Sequence, residues 1–205
     1  MAEAGKIGAV ILAGGKSRRM GENKAFLTLE GKTFLARISE QLGGFEEVLL
    51  SADSADKYEC ENLQVVEDIY PDCGPISGLY SALCVCRSDY LLAVSCDMPL
   101  FPKELAQYMS ELVAGPYDAF VAVTRDERRQ PLCTIYAKRA AGIIEQRIKI
   151  GRYSLLGALD NMYVLDIPLQ HSPFPDDVAL NINTPEQYAE LARRADYTGS
   201  DYKDI

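Results

Sequence analysis

The segment "KIGAVILAGGKSRRMGENK", residues 6–24, changes character in its middle. Its first part, KIGAVILA, is an apolar run typical of a strand covered on both faces of a parallel sheet. Its second part brings two adjacent glycines, two adjacent arginines, a further glycine and a lysine. Glycines let backbone N–H groups approach an anion closely, and arginines neutralise phosphate oxygens. The segment therefore indicates a phosphate-handling loop or a solvated turn after the first strand of an α/β fold.

Alternating strand and helix patterns extend outward from this segment. Residues 33–42, TFLARISEQL, place apolar side chains at helical spacing, and Gly43-Gly44 ends that helix. Further helices are predicted at 77–86, 102–113 and 184–195, and further strands at 46–53, 63–68, 90–97, 117–124, 129–137 and 161–167. The segment 129–137 alternates less clearly and is a candidate antiparallel strand. The alternation predicts a doubly wound, mostly parallel, Rossmann-like sheet in a three-layer α/β/α domain.

Length and composition limit the number of domains and the classes of partner. A chain of 205 residues suits one core, and we expect a single domain over 1–195 with a flexible tail over 196–205. The net charge of −9 argues against a nucleic-acid or anionic-membrane partner, since both favour a broad basic surface. No apolar run approaches the roughly 20 residues of a membrane span, and the N-terminus lacks a signal-peptide pattern. A cytoplasmic location is the expectation.

The six cysteines and the one histidine do not suggest a zinc site. No two cysteines form a CxxC pair, and His171 has no cysteine near it in sequence. Reduced thiols packed as small apolar side chains are the favoured interpretation.

Polar residues that could carry chemistry follow three of the predicted strands. In a doubly wound sheet, ligands bind beyond the carboxyl ends of the strands. The first strand leads into the glycine-arginine segment and Lys24, the third ends in Glu67-Asp68, and the fourth ends in Cys96-Asp97. A carboxylate at the end of a central strand, followed by a proline turn, is well placed to bind Mg²⁺.

Two familiar phosphate-binding motifs are absent from these positions. A P-loop needs a glycine five residues before the glycine of GK[ST], but Val10 precedes Gly15-Lys16-Ser17 and Phe26 precedes Gly31-Lys32-Thr33 at that spacing. The dinucleotide fingerprint GxGxxG does not follow the first strand, which disfavours a hydride-transfer enzyme. A glycine-rich loop ending in basic residues, opposite an acidic strand end, suits a nucleotide whose triphosphate is held by Arg, Lys and a metal ion.

With these residues in place, LAGGKSRRMGENK resembles the signature LAGGxSxRMGxDK of nucleotidyltransferases with a glycosyltransferase-A-like fold, the nucleotide-diphospho-sugar transferase type. The segments VVEDIYPDCGPISGLYSAL, SCDMPLFP, RQPLCTIY and NINTPEQY resemble the molybdenum cofactor guanylyltransferase family within that superfamily. The resemblance runs from about residue 7 to about residue 192. It implies a Mg²⁺-dependent enzyme that transfers GMP from GTP to molybdopterin and releases pyrophosphate.

The resemblance also implies roles for individual residues. Leu12, Ala13 and Gly14 would recognise guanine largely through backbone groups, Gly15 and Arg19 would lie along the phosphates, and Lys24 would contact the nucleotide. Asp68 and Ser51 match nucleotide-contacting positions, Asp97 matches the Mg²⁺ ligand, and Asn181 and Asn183 match a late site near the pterin phosphate. Arg19, Lys24 and Asp97 are thus the expected catalytic residues. Transient contact with cofactor-synthesis proteins or molybdoenzyme apoproteins is expected as well.

The chain departs from the family pattern at three places. The family's Asp before the lysine is Asn23, a frequent Asn at the end of the second strand is Ser51, and GPLAG is GPISG, which keeps Gly74 and Gly78. None of these removes the expected metal ligand or the basic residues.

Other interpretations remain open. Thr184, Pro185 and Gln187 form a capping box for the last helix, so Asn181 and Asn183 belong either to a turn or to the site. Arg125, Arg128 and Arg129 are by default a solvated loop. The same chemistry could use CTP or a sugar phosphate, and a more distant alternative is a non-catalytic carrier of nucleotide or cofactor.

Overall fold

A seven-stranded mixed sheet forms the centre of the fold. The computed structural model describes residues 5–13, 23–58, 63–179 and 181–200. The strands are β1 (Ile7–Leu12), β4 (Val48–Ala52), β5 (Gln64–Glu67), β6 (Tyr90–Ser95), β7 (Ala119–Val123), β8 (Arg129–Ala137) and β9 (Val164–Pro168), and β2 (Thr28–Leu29) pairs with β3 (Lys32–Thr33) in a separate hairpin. The helices are α1 (Phe34–Leu42), α2 (Pro75–Val85), α3 (Lys103–Glu111), α4 (Ala141–Lys149), α5 (Leu155–Leu159) and α6 (Pro185–Ser200).

The strand order is β5-β4-β1-β6-β8-β7-β9. Strands β5, β4, β1 and β6 are mutually parallel, β8 runs antiparallel to both β6 and β7, and β9 is parallel to β7. The antiparallel strand predicted over 129–137 is therefore confirmed at the same boundaries. Because the four parallel strands end at one edge of the sheet, the loops after β1, β4, β5 and β6 meet there.

Two apolar clusters cover the two faces of the sheet. Along β1, Ala9 and Ile11 face a cluster with α1 and α3, whereas Val10 and Leu12 face a cluster with α2, α4 and α5. All but Leu12, which is 4% exposed, are fully buried. This burial on both faces explains why the strand reads as a continuous apolar run rather than an alternating one. The predicted three-layer α/β/α architecture is confirmed.

The structure differs from the sequence expectation in two regions. Helices α4 and α5 form one of these regions and the β2–β3 hairpin the other, and neither was predicted. The helix predicted over 184–195 corresponds to α6, which continues to Ser200. Residues 201–205 lie outside the described chain. No helix in the described part of the chain is long and apolar enough to cross a membrane.

Candidate functional site

The carboxyl ends of β4, β1 and β6 bring the predicted site residues to one edge of the sheet. Leu12, the last residue of β1, pairs in register with Ser51 of β4 on one side and Ser95 of β6 on the other. Asp68 follows β5, and Asp97 follows β6 by two residues. The site therefore has two parts, one around Asp97 and one around Asp68, with the end of β1 between them.

Lys24 links two of the predicted site residues. Its ammonium group donates to Asp97 Oδ2 at 2.8 Å and to Asn183 Oδ1 at 2.8 Å. The Lys24 and Asp97 side chains are only 14% and 12% exposed, so water screens their charges less than it screens a surface pair. Lys24 and Asn183, 159 positions apart in sequence, thus meet at the carboxylate of Asp97.

The Asp97 carboxylate is held from its own strand as well. Ser95 Oγ donates to Asp97 Oδ1 at 2.6 Å, so each carboxylate oxygen has one partner. The Asp97 backbone oxygen accepts from Ile182 N at 2.8 Å, which brings the segment before α6 against the turn after β6. Asp97 therefore has a fixed orientation, and Asn181 and Asn183 are held on either side of Ile182.

The start of α6 fixes Asn183 through the predicted capping box. Gln187 N donates to Thr184 Oγ1 at 3.3 Å, and Gln187 Oε1 accepts from Thr184 N at 3.2 Å and from Asn183 N at 2.7 Å. These reciprocal bonds satisfy N–H groups that a helix start would otherwise leave unpaired. The capping box is confirmed, and it leaves the Asn183 side chain free to meet Lys24. Both interpretations of this segment, turn and site, are therefore compatible.

Asn181 carries an unpaired polar atom. Its Oδ1 is buried and has no hydrogen-bond partner among the described residues. An unpaired buried acceptor typically costs roughly 1–3 kcal/mol of stability, so such atoms are uncommon unless a ligand meets them.

The second part of the site contains Ser51, Asp68 and Gly78. Ser51 Oγ lies 3.5 Å from Asp68 Oδ1, at the outer limit of a hydrogen bond. Burial raises the pKa of the Asp68 carboxyl to about 6, the Ser51 hydroxyl opposes this, and the negative charge of Asp53 adds to the rise. Only the Ser51 hydroxyl offsets the cost of burying this carboxylate, so Asp68 is a candidate to accept hydrogen bonds from a ligand.

Helix α2 approaches this part of the sheet closely at Gly78. A Cβ atom at Gly78 would lie 2.2 Å from Ser51 Oγ and 3.1 Å from Leu12 Cδ2. Two serines of α2 also hold the loop that follows Asp68, because Ser81 Oγ accepts from Ile69 N at 2.8 Å and Ser77 Oγ accepts from Tyr70 N at 3.1 Å. Helix α2 therefore positions both Ser51 and Asp68.

The backbone groups predicted to recognise a base are partly engaged within the protein. Leu12 O accepts from Cys96 N at 3.0 Å, Ala13 N donates to Ser51 O at 2.9 Å, and Ala13 O accepts from the Tyr58 hydroxyl at 3.0 Å. A carbonyl oxygen has two lone pairs, so Leu12 and Ala13 keep acceptor capacity. Their role as base contacts stays a prediction. Gly14, Gly15 and Arg19 lie outside the described residues.

The oxygen atoms around Lys24 form a donor set suited to Mg²⁺. Asp97 supplies a carboxylate and Asn183 an amide oxygen, each 2.8 Å from the Lys24 ammonium, and Asn181, two residues before Asn183 in sequence, carries an unpaired buried amide oxygen. Among the described residues, no three His, Cys, Asp or Glu side chains form a metal-binding group. Proteins commonly hold Mg²⁺ with one or two carboxylates while substrate phosphates complete the shell, so a single aspartate fits a site shared with a nucleotide.

Two contributors to the site were not found from the sequence. Ser95 orients Asp97, and Tyr58 contacts Ala13. Gln187, expected as part of the capping box, also anchors Asn183. The alternation of β6 places Ser95 and Asp97 on the same side of the strand, which is the one signal that could have identified Ser95.

The basic residues of the β7–β8 connection are engaged with local acids. Arg128 pairs with Asp126 at 2.9 Å, and Arg129 makes a two-bond contact with Asp166 at 2.8 and 2.9 Å. These contacts favour the structural interpretation of Arg128 and Arg129.

Comparisons with known proteins match this architecture. Residues 9–162 match the family model of the MobA-like NTP transferase domain. A "probable molybdenum cofactor guanylyltransferase" of Clostridium perfringens strain SM101 is 36% identical over 92% of this chain and 98% of its own length. A molybdenum cofactor guanylyltransferase of Syntrophotalea carbinolica is 32% identical over 91% of this chain and 90% of its own.

A solved structure shows the same fold. Molybdopterin-guanine dinucleotide biosynthesis protein A from Archaeoglobus fulgidus superposes with a TM-score of 0.79 at 23% identity, covering 92% of this chain and 98% of that one. The family match spans most of the chain, and the sequence relatives span nearly all of it. This chain belongs to the family of MobA-like NTP transferases, together with the molybdenum cofactor guanylyltransferases.

Proposed function

We propose that this nucleotidyltransferase transfers GMP from GTP to molybdopterin, forming molybdopterin guanine dinucleotide and releasing pyrophosphate. The names of its sequence relatives support this choice of substrates. The observation that carries the proposal is the contact of Lys24 with both Asp97 and Asn183 at the carboxyl edge of the sheet. A cation and a fixed carboxylate at this edge suit a reaction between two phosphate-bearing substrates.

The proposed reaction needs placement more than acid–base catalysis. An oxygen of the terminal phosphate of molybdopterin attacks the α-phosphorus of GTP and forms a new P–O bond. The bond from the α-phosphorus to the bridging oxygen breaks, and the electron pair leaves with pyrophosphate. Because the attacking phosphate is already ionised near neutral pH, no general base is required. The two substrates are polyanions that repel each other, and this repulsion is the main part of the activation barrier that the protein can lower.

The residues around Asp97 address this repulsion. Asp97 would hold Mg²⁺, with the amide oxygens of Asn181 and Asn183 beside it, and the bound ion would neutralise charge on the triphosphate and on the departing pyrophosphate. Lys24 provides a second positive charge at the same place. Ser95 keeps the carboxylate of Asp97 in one orientation, so the site needs little reorganisation.

The nucleotide would lie across the end of β1, between the two parts of the site. Asp68, with its half-buried carboxylate, would accept hydrogen bonds from nucleotide donors, and Ser51 would contact the same moiety. The backbone of Leu12 and Ala13 and the segment with Gly14, Gly15 and Arg19 remain the proposed contacts to base and phosphates.

Pyrophosphate release from GTP and molybdopterin tests the proposal. We expect the wild type to release pyrophosphate in the presence of Mg²⁺ and Asp97→Ala to lose this activity while keeping its circular dichroism spectrum. Asp56→Ala, which removes an exposed carboxylate from the 3-10 turn Ala55–Lys57, is the matched control and should keep full activity. Full activity of Asp97→Ala would contradict the assignment of Asp97.

Calorimetric titration of GTP, CTP and ATP with Mg²⁺ tests the choice of nucleotide. Tighter binding of CTP than of GTP would replace the guanylyl assignment with a cytidylyl one. Nucleotide binding without pyrophosphate release from molybdopterin would instead favour a carrier or a different acceptor, such as a sugar phosphate.

A further inference from the structure

Ala13 and Asn23, the described residues on either side of the glycine-arginine segment, are joined by the side chain of Tyr58. Asn23 Nδ2 donates to the Tyr58 hydroxyl at 3.0 Å, and that hydroxyl donates to Ala13 O at 3.0 Å. Asn23 also caps the 3-10 turn Lys24–Phe26, because its Oδ1 accepts from Ala25 N at 3.1 Å. The end of β1 is thus connected to the turn that carries Lys24.

The direction of each hydrogen bond in this connection is determined by the chemistry of its partners. Ala25 N–H can only donate, so the amide oxygen of Asn23 faces the turn and its NH₂ group faces Tyr58. The amide NH₂ can only donate in turn, so the tyrosine oxygen accepts from it. The one phenolic proton is then available for the carbonyl of Ala13.

Tyr58 itself occupies a fixed position relative to the sheet. Its side chain is 5% exposed and stacks on Phe26 with ring centroids 5.6 Å apart. The 3-10 turn Ala55–Lys57, which precedes it, is anchored to the end of β5 because Ala55 N donates to Glu67 Oε1 at 3.0 Å. A hydroxyl held in this way can fix the positions of its two partners, Asn23 and Ala13, relative to each other.

We infer that Tyr58 and Asn23 are positioning residues that set the location of Lys24 relative to the end of β1. The inference rests on the proposed function, in which a nucleotide at the end of β1 must meet the Lys24 ammonium. Lys24 reaches Asp97 and Asn183 through a flexible side chain, so the position of its backbone decides which phosphate oxygens the ammonium can reach. Without the Tyr58 connection, the turn is still capped by Asn23, but it loses this hydrogen-bonded link to Ala13 at the end of β1.

Four substitutions separate the capping of the turn from its connection to Tyr58. Tyr58→Phe removes the hydroxyl and keeps the ring. Asn23→Ser keeps a good capping oxygen but is too short to reach Tyr58. Asn23→Asp keeps the cap, but its carboxylate competes with Ala13 O for the single phenolic proton of Tyr58 and so breaks the link to β1. Asn23→Ala removes both the cap and the contact with Tyr58.

We expect Tyr58→Phe and Asn23→Ser each to weaken GTP binding in the presence of Mg²⁺ and to lower kcat by about five- to tenfold. The double variant should be no worse than either single variant, because both remove the same connection. Asn23→Asp should weaken GTP binding and lower kcat about as much as Asn23→Ser, and Asn23→Ala should show the largest loss of both. KM for molybdopterin should be unchanged in all four. Calorimetry gives the affinity, and pyrophosphate release gives kcat and KM.

Tyr136→Phe is the matched control for loss of a tyrosine hydroxyl. Tyr136 is fully buried and donates to Pro131 O at 2.8 Å within the apolar cluster of α2, α4 and α5. We expect it to lower the melting temperature without changing the GTP affinity. The inference is wrong if Tyr58→Phe and Asn23→Ser match the wild type, if their effects multiply in the double variant, or if Tyr136→Phe weakens GTP binding equally.

Failure of this inference and failure of the proposed function give different results. If the wild type binds GTP but does not join it to molybdopterin, the proposed function is wrong, while the affinities of the variants, measured without an acceptor, still decide the inference. If the wild type turns over and the variants behave like it, only the inference is wrong.

Discussion

The ammonium of Lys24 lies 2.8 Å from Asp97 Oδ2, in a pair whose side chains are both less than 15% exposed. The same ammonium lies 2.8 Å from Asn183 Oδ1. A positive charge therefore already sits among the oxygen atoms to which we assign a divalent cation. Lys24 and a metal ion at Asp97 would compete for the same carboxylate, and Lys24 would be released toward phosphate when the metal binds.

Lys24→Met should therefore strengthen divalent-cation binding and weaken catalysis. The substitution keeps the length of the side chain but leaves the largely buried Asp97 carboxylate without its cationic partner, a state that a metal ion relieves. We expect the affinity for Mn²⁺ without nucleotide, measured by electron paramagnetic resonance, to rise about tenfold. Pyrophosphate release should fall by about a hundredfold or more, since one charge-stabilising group is lost.

A surface lysine supplies the control for this prediction. Lys57 pairs with Asp53 at 2.6 Å, but both side chains are more than half exposed, so Lys57→Met should change neither measurement. Unchanged or weaker Mn²⁺ binding by Lys24→Met would show that Lys24 does not occupy the cation position.

The sequence predicts which residues come together at the site better than it predicts the contacts that orient them. The apolar run of β1, the carboxylates after β5 and β6 and the capping box of α6 all follow local rules, and each is found at the predicted place. Tyr58 follows no such rule, because its role arises from a contact with Ala13, 45 residues away in sequence. Helix α5 is only five residues long and has too few turns to show a helical period.

Gly78→Ala should destabilise the protein although alanine favours helices. Its Cβ would lie 2.2 Å from Ser51 Oγ, so α2 or β4 must shift. We expect a loss of about 1–3 kcal/mol in the free energy of unfolding, measured with urea. The double variant Gly78→Ala/Ser51→Ala should recover much of this loss, because the nearest remaining atoms are Leu12 Cδ2 at 3.1 Å and Ser51 Cβ at 3.3 Å.

Gly142→Ala is the control for this prediction. Gly142 lies in α4 with nothing within 4 Å of an added Cβ, so alanine there should stabilise by about 0.5–1 kcal/mol. If Gly78→Ala also stabilises, the close contact between α2 and Ser51 is wrong.

Asp68→Asn should stabilise the protein increasingly as the pH rises. Burial raises the pKa of the Asp68 carboxyl to about 6 in the folded protein, above its usual value, so the unfolded chain loses this proton more readily. Ionisation then costs stability, beginning near pH 4 and reaching its full extent above about pH 6. We expect the free energy of unfolding of the variant to be about 1 kcal/mol higher than that of the wild type at pH 8, and the difference to be smaller at pH 5. Urea unfolding at both pH values measures this difference.

Asp56→Asn, at an exposed site, should match the wild type at both pH values. An advantage of Asp68→Asn that shrinks as the pH rises would mean that the carboxylate is stabilised in the folded protein, and the proposed ligand-accepting role of Asp68 would lose its electrostatic basis.

Asn181→Leu should produce a protein that is at least as stable as the wild type but inactive. Asn181 Oδ1 is buried without a partner in the described structure, so leucine of similar size removes the cost of an unpaired acceptor, about 1 kcal/mol. It also removes an oxygen that we assign to the site beside Asp97. On the same preparation, the free energy of unfolding in urea should therefore stay the same or rise, while the rate of pyrophosphate release falls.

Asn161→Leu provides the comparison, because Asn161 Oδ1 accepts from Arg147 Nη1 at 2.8 Å. We expect that variant to lose about 0.5–1.5 kcal/mol and to keep its activity. The contrast arises because an amide serving the fold has its partner within the protein, whereas an amide serving a ligand lacks one until the ligand binds. If Asn181→Leu loses stability as Asn161→Leu does and remains active, Asn181 belongs to the turn before α6 and not to the site.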